Sequence, residues 1–393
     1  MTSRLIRLSH ITLQVSNAQR VVQELMTKYQ FQPFAARGLD GRSPSQVALR
    51  NGGVVFMVNE NNQKTTKGSS MLYDAAVPLP SPDTACNVSF DVEDVPGFCQ
   101  RLLSERCQLL VPPTEVHDDY GSVTFCVVKS VVGNVRHTLI DRTRYGGNFL
   151  PEFQNLRSDS NPVVPGDLTC IDHVTYACPR GSSPHIIKWY ERCFGFKHFP
   201  LSKEEDCDRG FEISGPNIGL RLTAMDSPEL GKCGKLVLAE SLPQEGTNQL
   251  DLFLNHHKEG GIQHVGLFAT DIFKTARSMA NQGVCFTTQP PTYYSDPSKQ
   301  DEIRGVGLQA ETLSQFGILL DSKSQNSDMP NGYLLQVFAE PLWSKDSFYL
   351  ELIERRGAGG FGEGNVRALW RALNDFLEGS TQKDDEKIRS TVA

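Results

Sequence analysis

Two histidines and a glutamate, His173, His264 and Glu351, stand in three separate short apolar stretches. These are Cys170-Ile171-Asp172-His173-Val174-Thr175, Gly261-Ile262-Gln263-His264-Val265-Gly266 and Phe348-Tyr349-Leu350-Glu351-Leu352-Ile353. Two neutral imidazoles and one carboxylate on one face of a divalent ion leave positions open for a chelating ligand and O₂, which is the donor set of non-haem Fe(II) sites. A lone histidine on an apolar strand is ordinarily a core or edge residue. A glutamate between Leu350 and Leu352 is harder to explain that way, because a buried carboxylate without a partner is costly. The pair His256-His257, beside Lys258-Glu259-Gly260, reads instead as the exposed end of a helix before a turn.

The elements that must position these residues come from a repeat. Arg7-Leu8-Ser9-His10-Ile11-Thr12-Leu13 starts a strand, followed by a helical pattern over residues 18–29 and then Phe31-Gln32-Pro33-Phe34. Cys170 to Tyr176 does the same, with a helix near 185–193 and then Phe194-Gly195-Phe196. A second pair of segments matches as well. Asn87 to Val95 leads to a helix and Pro112-Pro113-Thr114, and His264 to Ile272 leads to a helix and Pro290-Pro291-Thr292. Alternating apolar segments such as Val123 to Val127 and Tyr333 to Phe338 continue each unit. A βαβββ module written four times predicts an α+β chain of two domains, each an open β-barrel cup built from paired modules. This resembles the vicinal-oxygen-chelate architecture. The expected boundaries are 1–156 and 168–378, with a polar joint at Arg157 to Asp167 and a loose charged tail over 379–393. Asn59 to Asp83 reads as a long surface excursion. A final helix, with Asn365 as N-cap and Val366, Leu369, Trp370, Leu373, Phe376 and Leu377 on one stripe, is expected to lie over the mouth of the second cup.

The repeat is also an internal control. The first half has His10 opposite His173, but Asn87 opposite His264 and Thr138 opposite Glu351. A single imidazole cannot hold a divalent iron, so the first cup should be metal-free and the second should carry the chemistry. His137 adjoins Thr138, yet neighbours on a strand face opposite ways.

Bulk properties set the remaining bounds. The 393 residues carry 39 Lys+Arg against 46 Asp+Glu, a net charge of −7, which gives no pointer to a nucleic-acid partner. Apolar runs such as Val54 to Val58 are far too short to cross a bilayer. The ten cysteines show no Cys-x-x-Cys pair and no zinc spacing, and Cys86, Cys126 and Cys285 sit in apolar stretches. The expectation is a reducing compartment without disulfides. The acid-free start, with Arg4 and Arg7, is compatible with a mitochondrial location, the cytoplasm being the alternative.

Over nearly its whole length the chain resembles the 4-hydroxyphenylpyruvate dioxygenase family, and specifically its dioxygenase-like branch. The most specific stretches are Gly260-Gly261-Ile262-Gln263-His264-Val265, Tyr333 to Phe338, Leu350-Glu351-Leu352-Ile353-Glu354-Arg355-Arg356 and Gly360-Phe361-Gly362-Glu363-Gly364-Asn365. The resemblance implies one Fe(II) per chain on His173, His264 and Glu351, with an aromatic 2-oxo acid and O₂ as substrates. It also implies a pocket of Gln249, Gln263, Gln336, Phe338, Tyr349, Phe361, Asn365 and Val366. Strand parity supports Gln336 with Phe338 and Tyr349 with Glu351, whereas Gln263 would face away from His264 in a regular strand.

Three departures bear on the product. Family dioxygenases place Ser and Asn where this chain has Leu222 and Ala239, and homogentisate-forming members carry Phe where it has Val366. A smaller aliphatic residue there is similar to members that form 4-hydroxymandelate. The expected reaction is oxidative decarboxylation and hydroxylation of 4-hydroxyphenylpyruvate to 4-hydroxymandelate and CO₂. The alternatives left open are homogentisate formation and a catalytically inactive ligand-binding relative. A homodimer would give the first cup a role.

Overall fold

The protein, a computed structural model, is described over residues 3–38, 44–60, 72–75, 83–156, 166–201, 210–215, 218–243, 249–322, 332–343, 348–362 and 364–365. The first half runs β1 (Leu5–Val15), α1 (Ala18–Thr27), β2 (Gln32–Arg37), β3 (Gln46–Asn51) and β4 (Val54–Glu60). It continues with β5 (Thr84–Val92), α2 (Val95–Ser104), β6 (Leu109–Asp118), β7 (Gly121–Lys129), β8 (Arg136–Asp141) and a short β9 (Gln154–Asn155). The second half runs β10 (Leu168–Cys178), α3 (Ser183–Phe194), β11 (Lys197–Phe199), β12 (Phe211–Gly215), β13 (Ile218–Asp226), β14 (Lys235–Ser241) and α4 (Gln249–His257). Then come β15 (Gly261–Ala269), α5 (Ile272–Asn281), α6 (Pro291–Ser295), α7 (Pro297–Gly305), α8 (Ala310–Ser314), β16 (Leu319–Asp321), β17 (Tyr333–Phe338) and β18 (Tyr349–Arg356).

The βαβββ repeat is present. In every module the first strand lies parallel to the last: β1 with β4, β5 with β8, β10 with β14 and β15 with β18. Paired modules join through their first strands, antiparallel, β1 to β5 and β10 to β15. This gives two nine-stranded sheets, each curled into a half-barrel. The fourth module departs from the pattern. Pro112 and Pro113 lie inside β6, whereas Pro290-Pro291 opens α6, with Pro at the first helical position, where its missing N–H costs nothing.

Three of the module helices start alike. Asn17, Asp94 and Asp271 each follow a strand and accept the N–H of the third residue on, at 2.9, 3.0 and 2.9 Å. Such a cap contributes about 1 kcal/mol. The buried stripe of α1, Ala18, Val21 and Leu25, then faces the sheet at helical spacing. One apolar core runs through both halves and includes Phe90, Phe98, Trp189, Tyr190, Phe194 and Phe196. Within it, His137 donates from Nδ1 to the Val88 carbonyl (3.0 Å) and accepts at Nε2 from the Tyr190 hydroxyl (2.8 Å). His137 therefore points away from the first cup, as strand parity requires.

The structure corrects several expectations. Cys170 and Cys233 form a disulfide, so the chain is not disulfide-free, and Cys285 is exposed rather than in a core. Within Asn59 to Asp83, the described residues Tyr73 and Asp74 are fully buried, so that part is not a surface excursion. Gly364 and Asn365 are already helical, and the Asn365 amide is spent on Gln336 and Tyr293 rather than on a cap. The stripe from Val366 onward, the joint at 157–165 and the tail at 379–393 lie outside the described residues.

Candidate metal centre

Three adjacent strands of the second half, β10, β15 and β18, carry the three expected ligands. Register places His173 opposite Gly266 and Gly266 opposite Glu351, so the two outer ligands share one row across the sheet with a glycine between them. His264 stands two residues back along β15, opposite Thr175 and Tyr349. Gly266 is required there. A Cβ at this position would lie 2.3 Å from Cε1 of His173, inside the space the ligands converge on.

The ligand atoms meet. Glu351 Oε2 is 3.2 Å from Nε2 of His173 and 3.5 Å from Nε2 of His264. The three donor atoms lie within 4.8 Å of one another, and they form the candidate metal cluster found among the described residues. Each is held from behind. His173 Nδ1 donates to Asp172 Oδ1 (2.9 Å), and Asp172 takes a two-pronged grip from Arg355 at 2.7 and 2.8 Å. His264 Nδ1 faces Gln263 Oε1 at 3.2 Å. Gln336 Nε2 donates to Glu351 Oε1 (2.9 Å) and leaves Oε2 for the ion. Holding the far nitrogen fixes the tautomer and turns the Nε2 lone pair toward the centre.

Both holders of the imidazoles depend on bulges. The β10–β15 register slips between Ile171 and His173, which leaves Asp172 as an extra residue, and again at Thr175–Tyr176, which leaves Gln263 extra. A bulge brings consecutive side chains toward one side. Strict alternation therefore misplaces Gln263, and its position behind His264 corrects that expectation. The first half has the same slips, at Ser9 before His10 and at Cys86 before Asn87, and Ser9 Oγ lies 3.2 Å from His10 Nδ1.

Behind Glu351 a chain of side chains fixes Gln336. Asn365 Nδ2 donates to Gln336 Oε1 (2.9 Å), the Tyr293 hydroxyl donates to Asn365 Oδ1 (3.0 Å), and the Leu320 N–H donates to that hydroxyl (3.1 Å). Gly362, at φ +74°, lies so close that a Cβ would collide with the Gln336 amide. Phe361 meets His173 edge-on at 5.3 Å, Tyr349 stacks on His264 at 4.7 Å, and Phe338 meets Tyr349 edge-on at 6.1 Å. Gln249 begins α4, its side chain lying outside the described set, as does Val366.

Electrostatics match the geometry. Burial opposes charge on His173, but Glu351 and Asp172 on its two sides outweigh burial and raise it to about 9. Burial, then the charge on His173, holds His264 well below the usual histidine range. Asp172 lies well below the carboxylate range because Arg355 overcomes the effect of burial. Without metal, a proton on His173 balances the carboxylates; a divalent cation does so better. The residues thus fit Fe(II) by donor type, convergence and outer support.

The wall beyond the centre is apolar. Leu222 pairs with Ala239 across β13–β14, and Phe211, Ile213, Ala224, Val237, Ala177 and Phe361 pack around them. The first cup is filled instead. Asn87 Nδ2 donates directly to Thr138 Oγ1 (2.8 Å), the two positions equivalent to His264 and Glu351. Tyr73, Phe34, Phe125 and Phe149 occupy its interior. Asp172, Arg355, Gly266 and Tyr293 were not singled out from sequence. The repeat carries two signals for them: Ser89 stands opposite Gly266, and Arg142 stands opposite Arg355.

A candidate two-histidine, one-carboxylate metal centre sits in the second of two paired-module half-barrels of the vicinal-oxygen-chelate fold. Among known proteins, the chain is 40% identical to the 4-hydroxyphenylpyruvate dioxygenase-like proteins of Mus musculus and Homo sapiens, covering 95% of this chain and 98% of each of those. It is 26% identical to 4-hydroxyphenylpyruvate dioxygenase of Xenopus tropicalis over 94% of this chain and 91% of that one. An engineered variant of 4-hydroxymandelate synthase from Streptomyces coelicolor shares the fold, with a TM-score of 0.75 at 22% identity, covering 94% of this chain and 98% of that one. No family model matches. The chain belongs to the 4-hydroxyphenylpyruvate dioxygenase-like family.

Proposed function

We propose that the protein catalyses Fe(II)-dependent oxidative decarboxylation and hydroxylation of an aromatic 2-oxo acid, taking 4-hydroxyphenylpyruvate to 4-hydroxymandelate and CO₂. The observation that carries the chemistry is the convergence of His173 Nε2, His264 Nε2 and Glu351 Oε2, each fixed from behind by its own partner. Bound Fe(II) would supply a seat for the keto and carboxylate oxygens of the acid and the redox chemistry toward O₂.

The chain's own residues orient and exclude. Gln336 occupies Oε1 of Glu351 and leaves Oε2 to face the centre. Phe361, Tyr349 and Phe338 flank the centre with rings and keep water from it. The His264 side chain keeps 12% exposure against 3% for His173 and 1% for Glu351, so the approach lies on its side. Leu222 and Ala239 shape the far wall.

The product rests on Val366. A residue smaller than Phe there lets the ring settle with its benzylic carbon nearest the reacting oxygen, and positioning on the scale of an ångström redirects such choices. The relatives named 4-hydroxyphenylpyruvate dioxygenase, at 26–27% identity, support homogentisate as the second reading. Product analysis of the iron-loaded protein decides between them: 4-hydroxymandelate as the main product supports the first, homogentisate the second. Absence of turnover with intact substrate binding supports a ligand-binding relative. A Val366→Phe variant with an unchanged product ratio would remove the reason for preferring mandelate.

A further inference from the structure

Thr175 stands one residue pair beyond His173 on the same face of β10, between Val237 on β14 and His264 on β15. Its Cα is roughly 7 Å from that of His173 along the strand. The face it shares is the interior of the second cup. Ala177, the next residue of that face, packs with Ala239, Leu222 and Leu220, while Val174 and Tyr176 point into the shared core on the other side. Thr175 is 2% exposed, and its hydroxyl has no hydrogen-bond partner.

A buried hydroxyl without a partner is costly, and such groups in native structures need a reason. The repeat supplies a comparison. Thr12, its counterpart in the first cup, also has an unpaired hydroxyl, but it lies on a polar layer with Gln14, Asn59 and Asn87. Around Thr175 the cup offers Val237, Ala177, Ala239 and Leu222 instead, and among the described residues no side chain pairs with its hydroxyl. A ligand held in the cup would supply the partner.

We propose that the Thr175 hydroxyl is a specificity-determining group, which hydrogen-bonds a polar ring substituent of the aromatic 2-oxo acid. The acid is anchored at the centre beside His173, and a ring extending from it along β10 reaches Thr175 before the apolar end wall. The preferred substrate is then a hydroxylated arene rather than an unsubstituted one. This assignment rests on the oxygenase reading above.

The test is anaerobic calorimetric binding to the Fe(II)-loaded protein of 4-hydroxyphenylpyruvate and of phenylpyruvate, for wild type, Thr175→Val and Thr175→Ser. Thr175→Val should weaken the hydroxylated acid about 10- to 100-fold, the usual effect of leaving one polar partner unpaired. It should leave phenylpyruvate within about threefold, and Thr175→Ser should restore the difference. Since Val removes an unpaired buried hydroxyl, the ligand-free Val variant should melt no lower than wild type. Equal loss for both acids, or no loss for either, would overturn the assignment. Wild-type protein that binds neither acid would sink the oxygenase reading and this one with it, a result distinct from a wild type that binds both alike, which sinks only the role of Thr175.

Discussion

Gly266→Ala isolates the space the metal needs. The added Cβ would stand 2.3, 2.5 and 2.8 Å from Cε1, Nδ1 and Nε2 of His173. Ordinary carbon contacts begin near 3.5 Å, so the ring must retreat by about 1.2 Å. Metal–ligand distances tolerate only about 0.2 Å. The ring cannot swing aside freely, because Nδ1 is tied to Asp172, which is itself clasped by Arg355. Loss of a mere outer hydrogen bond weakens metal binding about 10- to 100-fold; moving a ligand should do more, at least about 100-fold, or about 2.7 kcal/mol. Gly266 is not among the residues with positive φ, so alanine carries no backbone penalty there. Anaerobic titration with Fe(II), beside circular dichroism of the metal-free variant, measures this. A folded Gly266→Ala protein that binds iron as tightly as wild type would refute the packing argument.

Other outcomes follow from the same contacts. Arg355→Met strips the buried Asp172 of its guanidinium partner and leaves it only the His173 ring, which should cost about 3 kcal/mol in denaturant unfolding; Arg355→Met with Asp172→Asn should recover part of it. His137 is pushed down by burial from 6.5 to about 4. Below pH 6.5 the unfolded chain therefore takes the proton first, and stability, complete above that, falls toward pH 4 by at most about 3 kcal/mol. Unfolding free energies across this window should show that slope, and His137→Gln should reduce it, leaving the share of His10, which burial holds down to about 3. The Cys170–Cys233 link spans 63 residues, so Cys233→Ser should lower stability by up to about 4 kcal/mol in the loop-entropy limit, read from non-reducing denaturation curves.

The ligand set was legible because its residue types are out of place on apolar strands and because the repeat exposed which half retained all three. The module order followed from the recurring strand–helix pattern. What the sequence hid depends on departures from regularity. Strand parity alone turns Gln263 away from His264, because a bulge, invisible in an apolar run, shifts that parity. Nothing local marks Asp172; only the fold brings Arg355, distant in sequence, onto it. Asn365 carries a capping residue's signature, yet tertiary contacts to Gln336 and Tyr293 outbid the local role. Tyr73 and Asp74 sit in a polar stretch whose composition says surface, while the first cup needs something to fill it. Cys170 and Cys233 are too far apart along the chain for spacing to suggest a bond.

The slipped register before His10 and Asn87 recurs in a half that has no use for it as a metal device. Scaffold and chemistry are therefore separable: the irregular strands belong to the module, and four positions (His173, His264, Glu351 and Gly266) decide which copy gathers a metal-binding donor set. Anyone hoping to install a second centre would find the backbone already bent for it. The obstacle would be eviction of the Tyr73 segment that now lives there.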